Sequence, residues 1–187
     1  MRVVGLTGGI ASGKTTVSRV WEALGIPVFR ADDVAKQLLS DPNIKPDVVR
    51  VLGNVYNSDG SPDYKLIAKI IFSDDSKRKA LEAIIHPAVW QKFQDWLKRQ
   101  DSPYVVHEAA LLFESGLHKR VDWIVTVYAT PETREKRNPA YRQRAHLQLP
   151  ENYKTTNAHF VIYNDEDCPV IPQVLCLHRF FMKKVAE

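Results

Sequence analysis

The chain opens on an apolar run of β type, residues 2–7, that breaks at a pair of glycines. From Lys14 to Leu24 the apolar positions fall at Val17, Val20, Trp21 and Leu24, the three- and four-residue steps of one helical face. Gly25 interrupts that pattern, and residues 26–29 read as a second short strand. Residues 32–39 then read as a helix with an acid at its start. Helical periodicity continues over residues 63–72 and 76–85, after a turn at Asp59-Gly60-Ser61-Pro62. Pro87 suits the first turn of another helix, residues 88–98, because a helix start leaves that N–H unbonded anyway. No core strand shows between residues 41 and 101, so this stretch reads as a helical insertion between strands.

Residues 104–107 and 123–128 are β-branched or aromatic runs, the composition of buried parallel strands. Residues 159–163 are a fifth candidate. The last helix, residues 172–185, has apolar positions at Val174, Leu175, Phe181, Met182 and Val185. Strands alternating with helices predict an α/β fold with a parallel sheet.

Composition narrows the class. With 187 residues, 44% hydrophobic and 26% charged, the chain can bury a core without staples, which excludes a disordered or collagen-like protein. Cys168 and Cys176 are too few for a disulfide scaffold and read as packing residues. No apolar run approaches the roughly 20 residues that span a bilayer. Met1-Arg2 leads straight into Val3-Val4-Gly5-Leu6 without a signal-peptide core, so a soluble cytoplasmic protein with no membrane partner is expected. The net charge of +4 suits anionic partners. Basic residues are interleaved with acids rather than blocked together, which favours phosphorylated small molecules over nucleic acid.

The chemistry lies in Gly8-Gly9-Ile10-Ala11-Ser12-Gly13-Lys14-Thr15, a full match to G-x-x-x-x-G-K-[ST] between a strand and an amphipathic helix. Glycines let backbone N–H groups converge on phosphates, and the helix N-terminus adds partial positive charge. Lys14 is placed to reach the β- and γ-phosphates. The Thr15 hydroxyl is placed to ligate Mg²⁺, with Thr16 beside it. This predicts a nucleoside-triphosphate site. An Asn-Lys-x-Asp guanine reader is absent, and no D-x-x-G switch element is well placed. No H-E-x-x-H motif or cysteine spacing suggests zinc. A short chain of this type with a helical insertion after the second strand is similar to the nucleoside-monophosphate kinase group.

A closer resemblance follows from the rest of the motif set. Val4-Gly5-Leu6-Thr7-Gly8-Gly9-Ile10-Ala11-Ser12-Gly13-Lys14-Thr15-Thr16 resembles the opening of the dephospho-CoA kinase family. The likeness continues at Ala31-Asp32-x-x-Ala35, Ile71-Phe72-Ser73-Asp74, Ile85-His86-Pro87, Leu111-Leu112-Phe113-Glu114, Thr130-Pro131-Glu132 and Phe160-Val161-Ile162-x-Asn164. It implies a three-layer P-loop kinase fold: a five-stranded parallel sheet flanked by helices, with a helical acceptor-binding insertion and a lid. The implied organisation is a nucleotide-binding core of residues 1–30, 102–130 and 158–187, a CoA-binding region of 31–101, and a lid region of 131–157.

The implied reaction is ATP plus dephospho-CoA giving ADP plus CoA, the last step of coenzyme A biosynthesis, with Mg²⁺. Gly9, Ile10, Ala11, Ser12, Gly13, Lys14, Thr15, Thr16 and Asn164 would bind the nucleotide. Asp32 would orient or deprotonate the ribose 3′-hydroxyl, and Asp33 reads as a solvated neighbour. His86 and Leu112 would bind the acceptor. Glu108 would hold the Mg²⁺ water shell and face the substrate.

Among the lid arginines, Arg137 and Arg144 match the family best, ahead of Arg134 and Arg142, and would stabilise the transferring group. Two departures stand out. Arg30 occupies a place where relatives often carry a further acid. The segment between Arg137 and Arg144 is short, so that either the lid is short or residues are missing at the Arg137–Asn138 junction, with omission favoured. A monomer or weak homo-oligomer is expected. The alternatives are a related small-molecule kinase and a nucleotide-binding module without catalysis.

Overall fold

β-branched and aromatic residues crowd the strand positions, and burial follows them. A computed structural model describes residues 1–187, the side chains of Gln143 and Arg144 excepted. The chain divides into two compact units, Met1–Arg30 with Gln100–Glu187, and Ala31–Arg99.

In the first unit the strands are β1 (Arg2–Gly8), β2 (Val28–Arg30), β3 (Tyr104–Glu108), β4 (Trp123–Tyr128) and β5 (Phe160–Tyr163). They form one parallel sheet in the order β2-β3-β1-β4-β5. β3 is buried at every position and β1 at all but its first, as expected of inner strands covered on both faces. Helix α1 (Lys14–Ala23) and a long C-terminal helix (Val170–Ala186) pack together against the sheet. Val17 and Trp21 from the former, and Val174 and Phe181 from the latter, join Val4, Leu6, Tyr104, Val106, Val125 and Val127 in one core cluster. Three short helices and a 3-10 turn (Leu117–Arg120) complete this unit.

The five expected strands all form. The second is displaced to Val28–Arg30 because Ile26 donates its N–H to the Trp21 carbonyl, closing α1. Pro27 has no N–H to give, and its carbonyl accepts from Val106.

The second unit is helical: α2 (Ala31–Leu38), α3 (Lys45–Leu52), α4 (Tyr64–Ser73) and α5 (Asp75–Leu97), with α5 packing on the other three. Asp63 caps α4 through the Lys65 and Leu66 N–H groups, and Asp74 caps α5 through Lys77. The expected helix boundary at Pro87 is not there, since α5 runs through it. Leu81, Ile85, Val89 and Phe93 recur every fourth residue and are buried, so one continuous apolar stripe spans the proline and outweighs its lost hydrogen bond. Pro87→Ala is therefore expected to raise unfolding stability by about 2 kcal/mol, the helix-interior penalty less the stiffening of the unfolded chain. Urea denaturation checks this, and a loss of stability would place a real helix break at that residue. Among the described residues no helix is long and apolar enough to cross a membrane.

Candidate active site

β1 ends at Gly8, and five residues turn the chain into α1. Gly8 has φ 150°, and a Cβ there would strike the Val127 carbonyl oxygen, so only glycine fits. Gly13, at φ 95°, precedes α1, and a side chain on it would collide with the Asn164 amide. Between them Ala11 sits at φ 63°, the one non-glycine residue with positive φ among the described residues. Helix α1 begins with no side-chain cap and no acid in its first turn. With no side-chain acceptor and no acid there, the helix start keeps its partial positive charge for an anion, and the residues present fit a triphosphate.

The carbonyls of the loop are braced by side chains. Lys14 Nζ donates to Gly8 O at 3.0 Å and Gly9 O at 3.4 Å. Arg134 Nε donates to Ile10 O at 2.8 Å, and Asn164 Nδ2 to Ser12 O at 2.8 Å. Arg137 Nη1 reaches Ser12 O at 3.2 Å, while its Nη2 donates to the Asn164 carbonyl at 2.8 Å. Holding the carbonyls in this way fixes the orientation of the loop peptides.

At the carboxyl ends of β2 and β3, Arg30 and Glu108 stand opposite each other in register. The Arg30 guanidinium forks onto Glu22, Nη1–Oε1 2.6 Å and Nη2–Oε2 2.8 Å, and its Nε lies 3.6 Å from Glu108 Oε2. This hydrogen bonding from Arg30 holds the Glu22 carboxyl below the usual range. Beside Glu108, burial pulls His107 down to about 4, so its imidazole is neutral near pH 7.

The three short helices after β4 are α6 (Pro131–Arg137), α7 (Tyr141–Ala145) and α8 (Glu151–Asn157). The C-terminal helix is accordingly α9. Thr130 caps α6, with Pro131 in its first turn. Arg134 is only 5% exposed: Nη1 pairs with Glu151 Oε1 at 3.2 Å, and the guanidinium lies 4.7 Å from the Tyr141 ring centroid. Arg142 is exposed and pairs with Glu135. Arg144 lies outside the described residues. The Arg137–Asn138 junction closes α6, Asn138 donating its N–H to the Arg134 carbonyl.

Behind the loop lies a fully buried cation that the sequence reading did not single out. Lys154 Nζ meets Glu114 Oε1 at 3.2 Å and the Ala110 carbonyl at 3.3 Å. Glu114 Oε1 also accepts the Leu149 N–H at 2.8 Å. Lys154→Met leaves that carboxylate without its cation, and a loss of about 3–5 kcal/mol is expected. The Lys154→Met/Glu114→Leu double variant should recover most of it. Thermal denaturation reads both, and a single variant as stable as the parent would dismiss the pair as a determinant of stability.

Of the other residues singled out, Leu112 is fully buried and packs against Gly5, which gives it a core role. Thr15 and Thr16 are exposed in the first turn of α1. In the helical unit, Asp32 lies exposed in the first turn of α2. His86 lies half-buried in α5, where burial pulls its pKa below the ordinary value against an opposing pull from Glu82.

Comparison with known proteins supplies the family. A family model described as dephospho-CoA kinase matches residues 2–169. A dephospho-CoA kinase of Bacteroides fragilis is 34% identical over 192 aligned residues, with 97% of this chain and 94% of the relative covered. The alignment is longer than this chain, so the relative carries positions that have no counterpart here. Among solved structures, TT1252 from Thermus thermophilus superposes with a TM-score of 0.86 at 30% identity, over 96% of each chain. A dephospho-CoA kinase from Campylobacter jejuni superposes at 0.71 and 21% identity, over 98% of this chain and 99% of that one, and shares the P-loop kinase fold.

Proposed function

The chain belongs to the dephospho-CoA kinase family, and from that premise we propose that it transfers the γ-phosphoryl group of ATP to the ribose 3′-hydroxyl of dephospho-CoA. The observation that carries the donor half is the braced glycine loop running into an uncapped, acid-free helix start. The loop from Gly9 to Thr16 holds the phosphates, and Lys14 bears on the transferring end. In the transfer the 3′-oxygen bonds to the γ-phosphorus as the bond to the β-phosphate oxygen breaks. The hydroxyl proton passes to the Asp32 carboxylate, and the electron pair leaves with ADP.

Residues 31–101 form the acceptor-binding region, with His86 among its contacts. Residues 131–157 form the lid, and Arg137 stabilises charge on the transferring group. Mg²⁺, when bound, neutralises charge on the phosphate oxygens. The Thr15 hydroxyl and Glu108, the latter through water, would hold it, a donor set that suits an ion leaning on substrate phosphates rather than on a protein cage. Among the described residues no group of three or more His, Cys, Asp or Glu gathers to hold a different metal.

The test is ADP release with ATP and Mg²⁺, comparing dephospho-CoA with AMP, shikimate, gluconate and no acceptor. Turnover confined to dephospho-CoA, with CoA as product, is expected. Equal turnover with another acceptor would overturn the substrate and keep the kinase. ATP binding without transfer to any acceptor would overturn the activity.

A further inference from the structure

Gln148, between α7 and α8, uses both ends of its side-chain amide. Its Oε1 accepts the Ile10 N–H at 3.1 Å, and its Nε2 donates to the Ala110 carbonyl at 3.5 Å. It therefore ties the glycine loop to the segment leaving β3. Its own place is fixed from the next residue, because the Leu149 N–H is held by Glu114, the partner of buried Lys154. Lys154 and Gln148 share the same carbonyl, that of Ala110.

The residue that Gln148 grips precedes the strained one. Ala11 holds a left-handed backbone that a residue with a Cβ adopts only when its surroundings over-determine it. Gln148 fixes the peptide group ahead of Ile10 through its N–H, and Arg134 fixes the following one through the Ile10 carbonyl. The two grips bracket the approach to Ala11 and set the direction of the N–H groups that follow. Only a neutral amide can serve here. A carboxylate could accept from Ile10 but could not donate to Ala110, and it would set a negative charge beside a phosphate site.

We infer that Gln148 is a positioning residue for the nucleotide, holding the Ile10–Ala11 stretch in its phosphate-binding shape from the far end of the lid region. This rests on the reading of the glycine loop as a triphosphate site. The first readout needs no ligand: amide hydrogen exchange at Ile10, in the parent, Gln148→Ala and the space-filling Gln148→Met. Exchange is expected to quicken about tenfold in both variants, the equivalent of one lost hydrogen bond, with the melting temperature lowered by no more than about 5 °C. The second readout is kinetic. The KM for ATP should rise about tenfold with kcat and the acceptor KM nearly unchanged, and Gln148→Glu should be worse than Gln148→Ala.

Unchanged Ile10 exchange would overturn the inference. So would a fall in kcat at constant KM, which would place Gln148 on the reacting atoms. A melting temperature lowered well beyond that in both neutral variants would reduce it to a packing role. Should no acceptor be turned over, the proposed transfer fails, while Ile10 exchange and calorimetric ATP affinity still decide the role of Gln148.

Discussion

Lys14→Met is expected to lower kcat/KM by about 10³-fold while leaving the melting temperature close to that of the parent. The size follows from what the ammonium does: it is a full charge at the mouth of a loop whose other donors are backbone amides, and removal of one such preorganised donor costs about 10²–10³ in rate. Stability should hold because the ammonium's contacts with the Gly8 and Gly9 carbonyls are neutral-acceptor hydrogen bonds, each worth about 1 kcal/mol net. Methionine keeps the unbranched stem and removes the charge. Lys14→Arg should not restore the rate, since a planar fork cannot replace a compact point charge held against the loop. Steady-state kinetics with ATP binding measured alongside makes the test. A variant retaining a tenth or more of the parental kcat/KM would show that the transferring group is stabilised without the Lys14 charge.

The sheet and the glycine loop were legible in the sequence for a common reason: both are dictated by short-range rules. A strand buried on both faces must be apolar along its length, as Tyr104–Glu108 nearly is, and a loop of this backbone shape must have glycine where Gly8 and Gly13 lie. Pro87 misled because the same local reasoning treats proline as a boundary. The spacing of Leu81, Ile85, Val89 and Phe93 on either side of it carried the stronger instruction.

Which atoms of the loop its braces hold could not be read. Arg134, Gln148 and Lys154 lie in a polar stretch that resembles an exposed surface, and their partners Ile10, Ala110 and Glu114 are distant in sequence. A buried cation is betrayed only by its counter-charge and its acceptors, and neither has a fixed spacing along the chain. Arg30 shows the same limit. It forks onto Glu22 and leans on Glu108, contacts that residue identity alone does not announce.

Asp32 offers the sharpest test of the proposed transfer, because a neighbouring acid serves as its control. Both Asp32 and Asp33 lie exposed in the first turn of α2, where either carboxylate complements the helix dipole. If Asp32 does no more than that, Asp32→Asn and Asp33→Asn should behave alike. If Asp32 accepts the hydroxyl proton, Asp32→Asn should lower kcat by about 10²–10⁴-fold, the range of a lost general base. The KM values for ATP and dephospho-CoA should then change little, because the amide keeps the shape and a hydrogen-bonding oxygen.

Asp33→Asn removes only a loose exposed pair with Lys36, at 3.9 Å, and should stay within about twofold of the parent. Parallel kinetics on the two variants separates the cases. Equal, small effects would remove Asp32 from the chemistry and leave the 3′-hydroxyl to be activated by the electrostatics of the phosphate site alone.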